Sequence, residues 1–223
     1  MDKTQLDWKR KLPLFGLLLL VVVVQVWATH RYMTSIVTGG NDFYSRWHGA
    51  RVLLLEGQDP YDLAVTEEIQ IMLGATHQAE GRSGFHYPLH VIFLFWPLVY
   101  LSYPVVQAIW MTVLIWIALG TVLVMLAREG WRPEPAGLAF VLLATITLYP
   151  VSRTVILGQF TLHVTFFLAL TVWAWRNGRF GWAGLALSAT SIKPQMIVLV
   201  GILLVLLALR WRLWRFFVGV VGG

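Results

Sequence analysis

The chain has 223 residues, of which 58% are hydrophobic and 13% charged, whereas a soluble domain usually spends about a quarter on charge. That excludes an ordinary water-soluble domain. The formal charge of +6 is spread over scattered Lys and Arg, which excludes a nucleic-acid stripe, and zero Cys excludes disulfides, thiolate metal sites and a cysteine nucleophile.

Residues 1–11 carry Lys3, Lys9, Arg10 and Lys11, and predict a cytoplasmic N-terminus. The next 19 uncharged residues, LPLFGLLLLVVVVQVWATH, are long enough for a crossing, predicting a first transmembrane helix over 12–28. The basic start also suits a signal peptide, but WATH has no small-x-small cleavage pattern and more apolar stretches follow.

Residues 29–103 read as an outer loop with interfacial or re-entrant helices. Gly39-Gly40-Asn41-Asp42 is a flexible turn whose last residues can cap a helix starting near Phe43. That helix, with Trp47, Ala50 and Leu54 on one face, is expected to lie flat along the outer membrane surface. Glu56-Gly57-Gln58-Asp59-Pro60-Tyr61 ends it with turn chemistry.

Between Arg82 and Arg128 lie 45 uncharged residues, enough for two crossings or for an interfacial segment at 88–101 followed by one. If 88–101 does not cross, three basic groups face the cytoplasm: those at 128–134, Arg176 with Arg179, and Arg210 with Arg212 and Arg215. Residues 29–86, 151–160 and the 193–194 junction then face outward. Residues 104–223 supply further transmembrane helices from uncharged windows at 135–152, 154–175, 180–192 and 194–209. FFVGVVGG stops inside another apolar helix, which predicts a truncated bundle. The fold class is an all-α polytopic membrane protein.

Polar residues in this setting are candidates for chemistry. Asp42, just past the first crossing, can serve as a general base or simply as a helix cap. Arg153 and Lys193 face one side and can hold a lipid phosphate, although Arg153 can equally snorkel. Gln159 can donate hydrogen bonds to a sugar or cap a helix. The His residues are dispersed, with no metal-binding spacing, P-loop or dinucleotide fingerprint.

The order Asp42-Phe43-Tyr44, Leu55 to Tyr61, Phe85-His86-Tyr87-Pro88, Gly158-Gln159 and Ile192-Lys193-Pro194 resembles glycosyltransferase family 87 over nearly the whole chain. The similarity is to the N-terminal part of a typical member. Leu89 stands where the family commonly has a second proline. The resemblance implies a GT-C-type bundle, multi-pass in the cell inner (plasma) membrane. Such an enzyme transfers a hexosyl group, typically mannosyl, from a polyprenyl-phosphate donor to a lipid-linked or glycan acceptor on the extracytoplasmic side. It implies no metal cofactor and no nucleic-acid partner. It makes Asp42 the catalytic base and puts His86, Tyr87 and Lys193 near the lipid-phosphate pocket; Tyr44, Arg153 and Gln159 join them as candidate substrate-binding residues. A chain ending before the later helices is expected to be inactive alone. The rival class is a lipid or glycolipid transporter, which would gather its polar residues near the membrane midplane.

Overall fold

The structure is a computed structural model and describes residues 3–37, 39–74 and 84–223; residues 1–2, 38 and 75–83 lie outside the described residues. Every regular element among those residues is helical. Helix α1 (Lys3–Thr29) continues through a π-helical turn at His30–Thr34. Its apolar stretch, Leu12–Thr34, is long enough to cross a membrane, and none of its most apolar window is buried by protein. In a bilayer, lipid would cover that surface.

Helix α2 (Asn41–Arg51) starts after Gly40 and runs into a second π turn at Val52–Glu56. Gly40 adopts φ 72°, and the Tyr103 hydroxyl donates to the carbonyls of Gly39 at 2.7 Å and Gly40 at 3.1 Å. The start of α2 is therefore clamped to the start of α4. The apolar face expected to lie along the membrane surface is covered by protein instead. Phe43, Trp47, Ala50 and Val52 are all buried, and so is Arg46. Hydropathy along the segment hid this, because the faces that cover α2 come from distant parts of the chain. Phe95, Trp110 and Phe160 close around Phe43 in one aromatic cluster, with Phe43 and Trp110 stacked at 5.0 Å.

Gly57 (φ 70°) ends the π turn, and Asp59 Oδ1 accepts from the Tyr61 backbone N–H at 2.9 Å, the turn role foreseen for it. Helix α3 (Leu63–Met72) packs on α2, where His48 meets Glu68 at 2.8 Å. Residues 89–101 form a 3-10 segment (Leu89–Leu94) and turns rather than an α-helix. Val91, Ile92, Phe95 and Val99 face the core, whereas Phe93, Trp96 and Tyr100 are exposed.

Helix α4 (Tyr103–Glu129) is the second helix long and apolar enough to cross. Helices α5 (Pro135–Thr147) and α6 (Tyr149–Leu157) meet at a 55° bend and together make a possible third crossing. Pro150 starts α6 with its missing N–H at a position where none is needed. The uncharged windows had divided at Arg153, but that residue lies within α6, and the chain breaks at Leu148 and Gly158 instead.

Helix α7 (Thr161–Arg176) packs on α4 and on α8 (Phe180–Ser188), which runs on as a 3-10 turn to Ile192. Helices α9 (Pro194–Arg210) and α10 (Trp214–Val221) complete a second core around Phe216, Leu187, Leu204 and Ala208. Phe180–Ile192 and Pro194–Arg210 are shorter apolar helices than the two long spans. Three helices share a polarity: α4, α7 and α9 each begin beside the polar cluster described next and end at Arg128, Arg176 and Arg210.

Candidate functional site

The first turn of α2 does not use Asp42 as its cap. Gly40 is the N-cap residue, and the Asp42 side chain points instead to the junction of α6 and α7. There Gln159 Nε2 donates to Asp42 Oδ2 at 2.5 Å across 117 residues of sequence. Gly158 makes this approach possible. It adopts φ 70° and presses so closely on Phe43 that an added Cβ would collide with the Cβ of Phe43. Trp110 Nε1 donates to the Gly158 carbonyl at 3.1 Å and fixes that peptide. A Gly158→Ala substitution is expected to cost about 1–2 kcal/mol for the left-handed backbone alone, before the collision is counted. Thermal unfolding in detergent should show a lower midpoint for the variant, and an unchanged midpoint would refute the tight fit.

One helical turn beyond Asp42 stands Arg46, 6% exposed. Its guanidinium lies 4.2 Å from the Tyr87 ring centroid and 5.5 Å from that of Phe160. Arg46 Nη2 donates to Tyr87 Oη at 2.6 Å, whereas Nε and Nη1 are buried without a partner. Burial pushes the Arg46 pKa down, and Tyr87 and Asp42 oppose that shift. Burial likewise raises the Tyr87 pKa, with Arg46 opposing. A guanidinium keeps its proton in proteins, so Arg46 is a buried cation with two of its nitrogens unused.

Lys193, between the 3-10 turn after α8 and the start of α9, brings a second cation. Its Nζ reaches Thr161 Oγ1 at 3.3 Å. Burial lowers the Lys193 pKa first and the neighbouring Arg46 charge lowers it further, while Asp42 pulls it back. Two cations and one carboxylate thus share one half-enclosed place. Unpaired donors beside concentrated positive charge suit an oxyanion such as a phosphate.

Of the residues expected from sequence, Asp42, Tyr87, Gln159 and Lys193 come together. Tyr44 is buried on another side of α2, edge-on to Tyr103 and stacked on His48. His86 is exposed, and its Nε2 accepts from the Gly84 backbone N–H at 3.1 Å. Arg153 is exposed on α6, so the second cation beside Lys193 is Arg46 and not Arg153. Arg46 had a readable signal, since Asp42 and Arg46 are four apart on one helix and therefore neighbours. Thr161 had none. No group of three or more His, Cys, Asp or Glu is placed to hold a metal among the described residues.

No curated protein and no solved structure matches the chain. The model of glycosyltransferase family 87 matches residues 85–223. That segment contains Tyr87, Gln159, Thr161 and Lys193, and begins after Asp42 and Arg46, so the shared order noted from residue 42 onward is matched only from Phe85. Since the match covers well over half of its length, the chain belongs to glycosyltransferase family 87.

Proposed function

We propose that this chain provides the site of a GT-C-type membrane glycosyltransferase. It would move a hexosyl group, mannosyl by family analogy, from a polyprenyl-phosphate donor to a hydroxyl of a lipid-linked or glycan acceptor. The observation that carries this reading is the meeting of a held carboxylate, Asp42, with two clustered cations, Arg46 and Lys193.

Each group has a role in one displacement. The acceptor hydroxyl gives its proton to Asp42 as its oxygen bonds to the anomeric carbon. The bond from that carbon to the phosphate oxygen breaks, and both electrons leave with the phosphate. Arg46 and Lys193 stabilise the charge gathering there, in a setting that excludes much of the water. Direct displacement of this kind inverts the anomeric configuration.

The surroundings suit lipid-borne substrates. An apolar groove of about 260 Å³, lined by Tyr32, Met33, Gly39 and Met111 among others, lies beside the turn that leads to Asp42. Basic residues at the far ends of α4, α7 and α9 favour a cytoplasmic position for those ends, which turns the site outward. The polar cluster lies outside the two long apolar helices, a placement that favours an enzyme at the membrane rim over a midplane transport site.

The reading is tested by sugar transfer from radiolabelled polyprenyl-phosphate-mannose in membranes containing the chain, and in membranes containing a longer form that carries the later helices. The pH dependence gives it residue-level content. Lys193 must be charged to hold phosphate, and its lowered pKa means that it loses its proton below the ordinary lysine range as pH rises. Transfer should therefore decline on the alkaline side earlier than a free lysine would dictate. Lys193→Arg should move that decline to higher pH, because guanidinium stays charged. An alkaline limb that does not move in this variant would remove Lys193 from the site.

A further inference from the structure

We infer that Gln159 is a positioning residue for Asp42 rather than a sugar contact: its amide holds one carboxylate oxygen and leaves the other to take the proton. The inference rests on the glycosyl-transfer reading of the same site. An ionised carboxylate only accepts hydrogen bonds, so the amide nitrogen is the end of Gln159 that faces Asp42. The contact is to Oδ2, and the Asp42 carboxylate accepts no other hydrogen bond among the described residues; the Ser45 hydroxyl donates to the Asp42 backbone carbonyl, at 3.2 Å. Oδ1 is therefore the free acceptor.

Gln159 is also held from behind. Its own N–H donates to the Thr154 carbonyl at 3.0 Å, and the preceding Gly158 carbonyl is held by Trp110. The next residue, Phe160, is fully buried in the aromatic cluster and is the N-cap residue of α7, with no side-chain cap bond. Gln159 thus has no capping duty. Its backbone is fixed on both sides, so the amide is delivered to Asp42 from a rigid mount. A carboxylate on the first turn of a helix can otherwise rotate about χ1 and χ2, and rotating it away from the acceptor hydroxyl removes the reach that a general base needs.

Two substitutions separate positioning from sugar binding. Gln159→Glu keeps the shape and the oxygen but loses the Nε2 donor, and Gln159→Leu loses both polar ends. Positioning predicts that Glu is the worse of the two, because it sets a like charge against Asp42. Both should lower kcat by about 10-fold or more, with donor and acceptor KM within about 2-fold of the parent. A sugar contact made by the amide oxygen predicts instead that Glu retains activity and that Leu raises KM, and that pattern would overturn the inference.

A double-mutant cycle on thermal unfolding, with Asp42→Ala, Gln159→Leu and both together, reads the pairing without any activity. Non-additive losses are expected for groups in direct contact, whereas additive losses would overturn the pairing. If the stability cycle is non-additive and no form of the chain transfers sugar, the glycosyl-transfer reading fails while the Asp42–Gln159 pair stands.

Discussion

Asp42→Asn should reduce sugar transfer by about 10²–10⁴-fold, the usual worth of a general base, with little change in unfolding temperature. Asn has nearly the same shape, and its amide oxygen can still accept from Gln159, so the first turn of α2 keeps its contact with the α6–α7 junction. What it loses is the capacity to take a proton from the acceptor hydroxyl. On the proposed reading donor KM should hold within a few-fold, because Arg46 and Lys193, and not Asp42, would bind the phosphate. Rates measured with labelled donor at saturating acceptor would decide the matter. Robust transfer by the Asn variant would remove Asp42 from its role as base, and the next carboxylate to test would be Glu68, which Tyr44 senses from the other side of α2.

The second large effect concerns Arg46, and its sign differs between two measurements. Arg46→Met should lower transfer by about 10²–10³-fold, the cost of losing one preorganised donor to a developing oxyanion. The same substitution should leave the unfolding temperature unchanged or raise it. Arg46 is almost fully buried, and two of its nitrogens have no partner. Replacing a buried ion by an apolar group of similar volume is often neutral or stabilising by about 1–4 kcal/mol. Met also keeps contact with the Tyr87 and Phe160 rings through its sulfur. Arg46→Lys should not restore the rate, since an ammonium cannot reproduce the planar fork. A parallel fall of stability and activity in Arg46→Met would mark the residue as structural only. Opposite signs would mean that the strain of a buried cation is kept for the ligand it holds.

The sequence made the membrane character and the first span legible because they depend on local composition alone. The uncharged run from Leu12 is long enough by itself, and Tyr103–Glu129 likewise announces its length. Asp42 and Lys193 stood out because isolated charges beside apolar runs need a reason. The burial of α2 was not legible. Its Arg46 and Arg51 look like a solvated face until Tyr87 and the Val99 carbonyl are brought to them from 41 and 48 residues away. The breaks at Leu148 and Gly158 were hidden in the same way. Arg153 is a stronger local signal than a glycine, yet the left-handed Gly158 interrupts the helix, and Arg153 simply rides on the exposed side of α6. Arg46 itself is within reach of a spacing argument, four residues from Asp42 on one helix, although Arg153 is the more isolated charge.

The long reach of the Asp42–Gln159 contact has a consequence for biogenesis. At about 5–20 residues per second of synthesis, the 117 residues between the two take roughly 6–23 s to appear. Tyr87 and Trp110 emerge part-way through that interval, but α2 has neither Gln159 nor Phe160 until its end. Until then the aromatic cluster around Phe43 lacks Phe160, next to a membrane that can shelter it. The final assembly of the site waits on the last of its contributors, Lys193, to arrive.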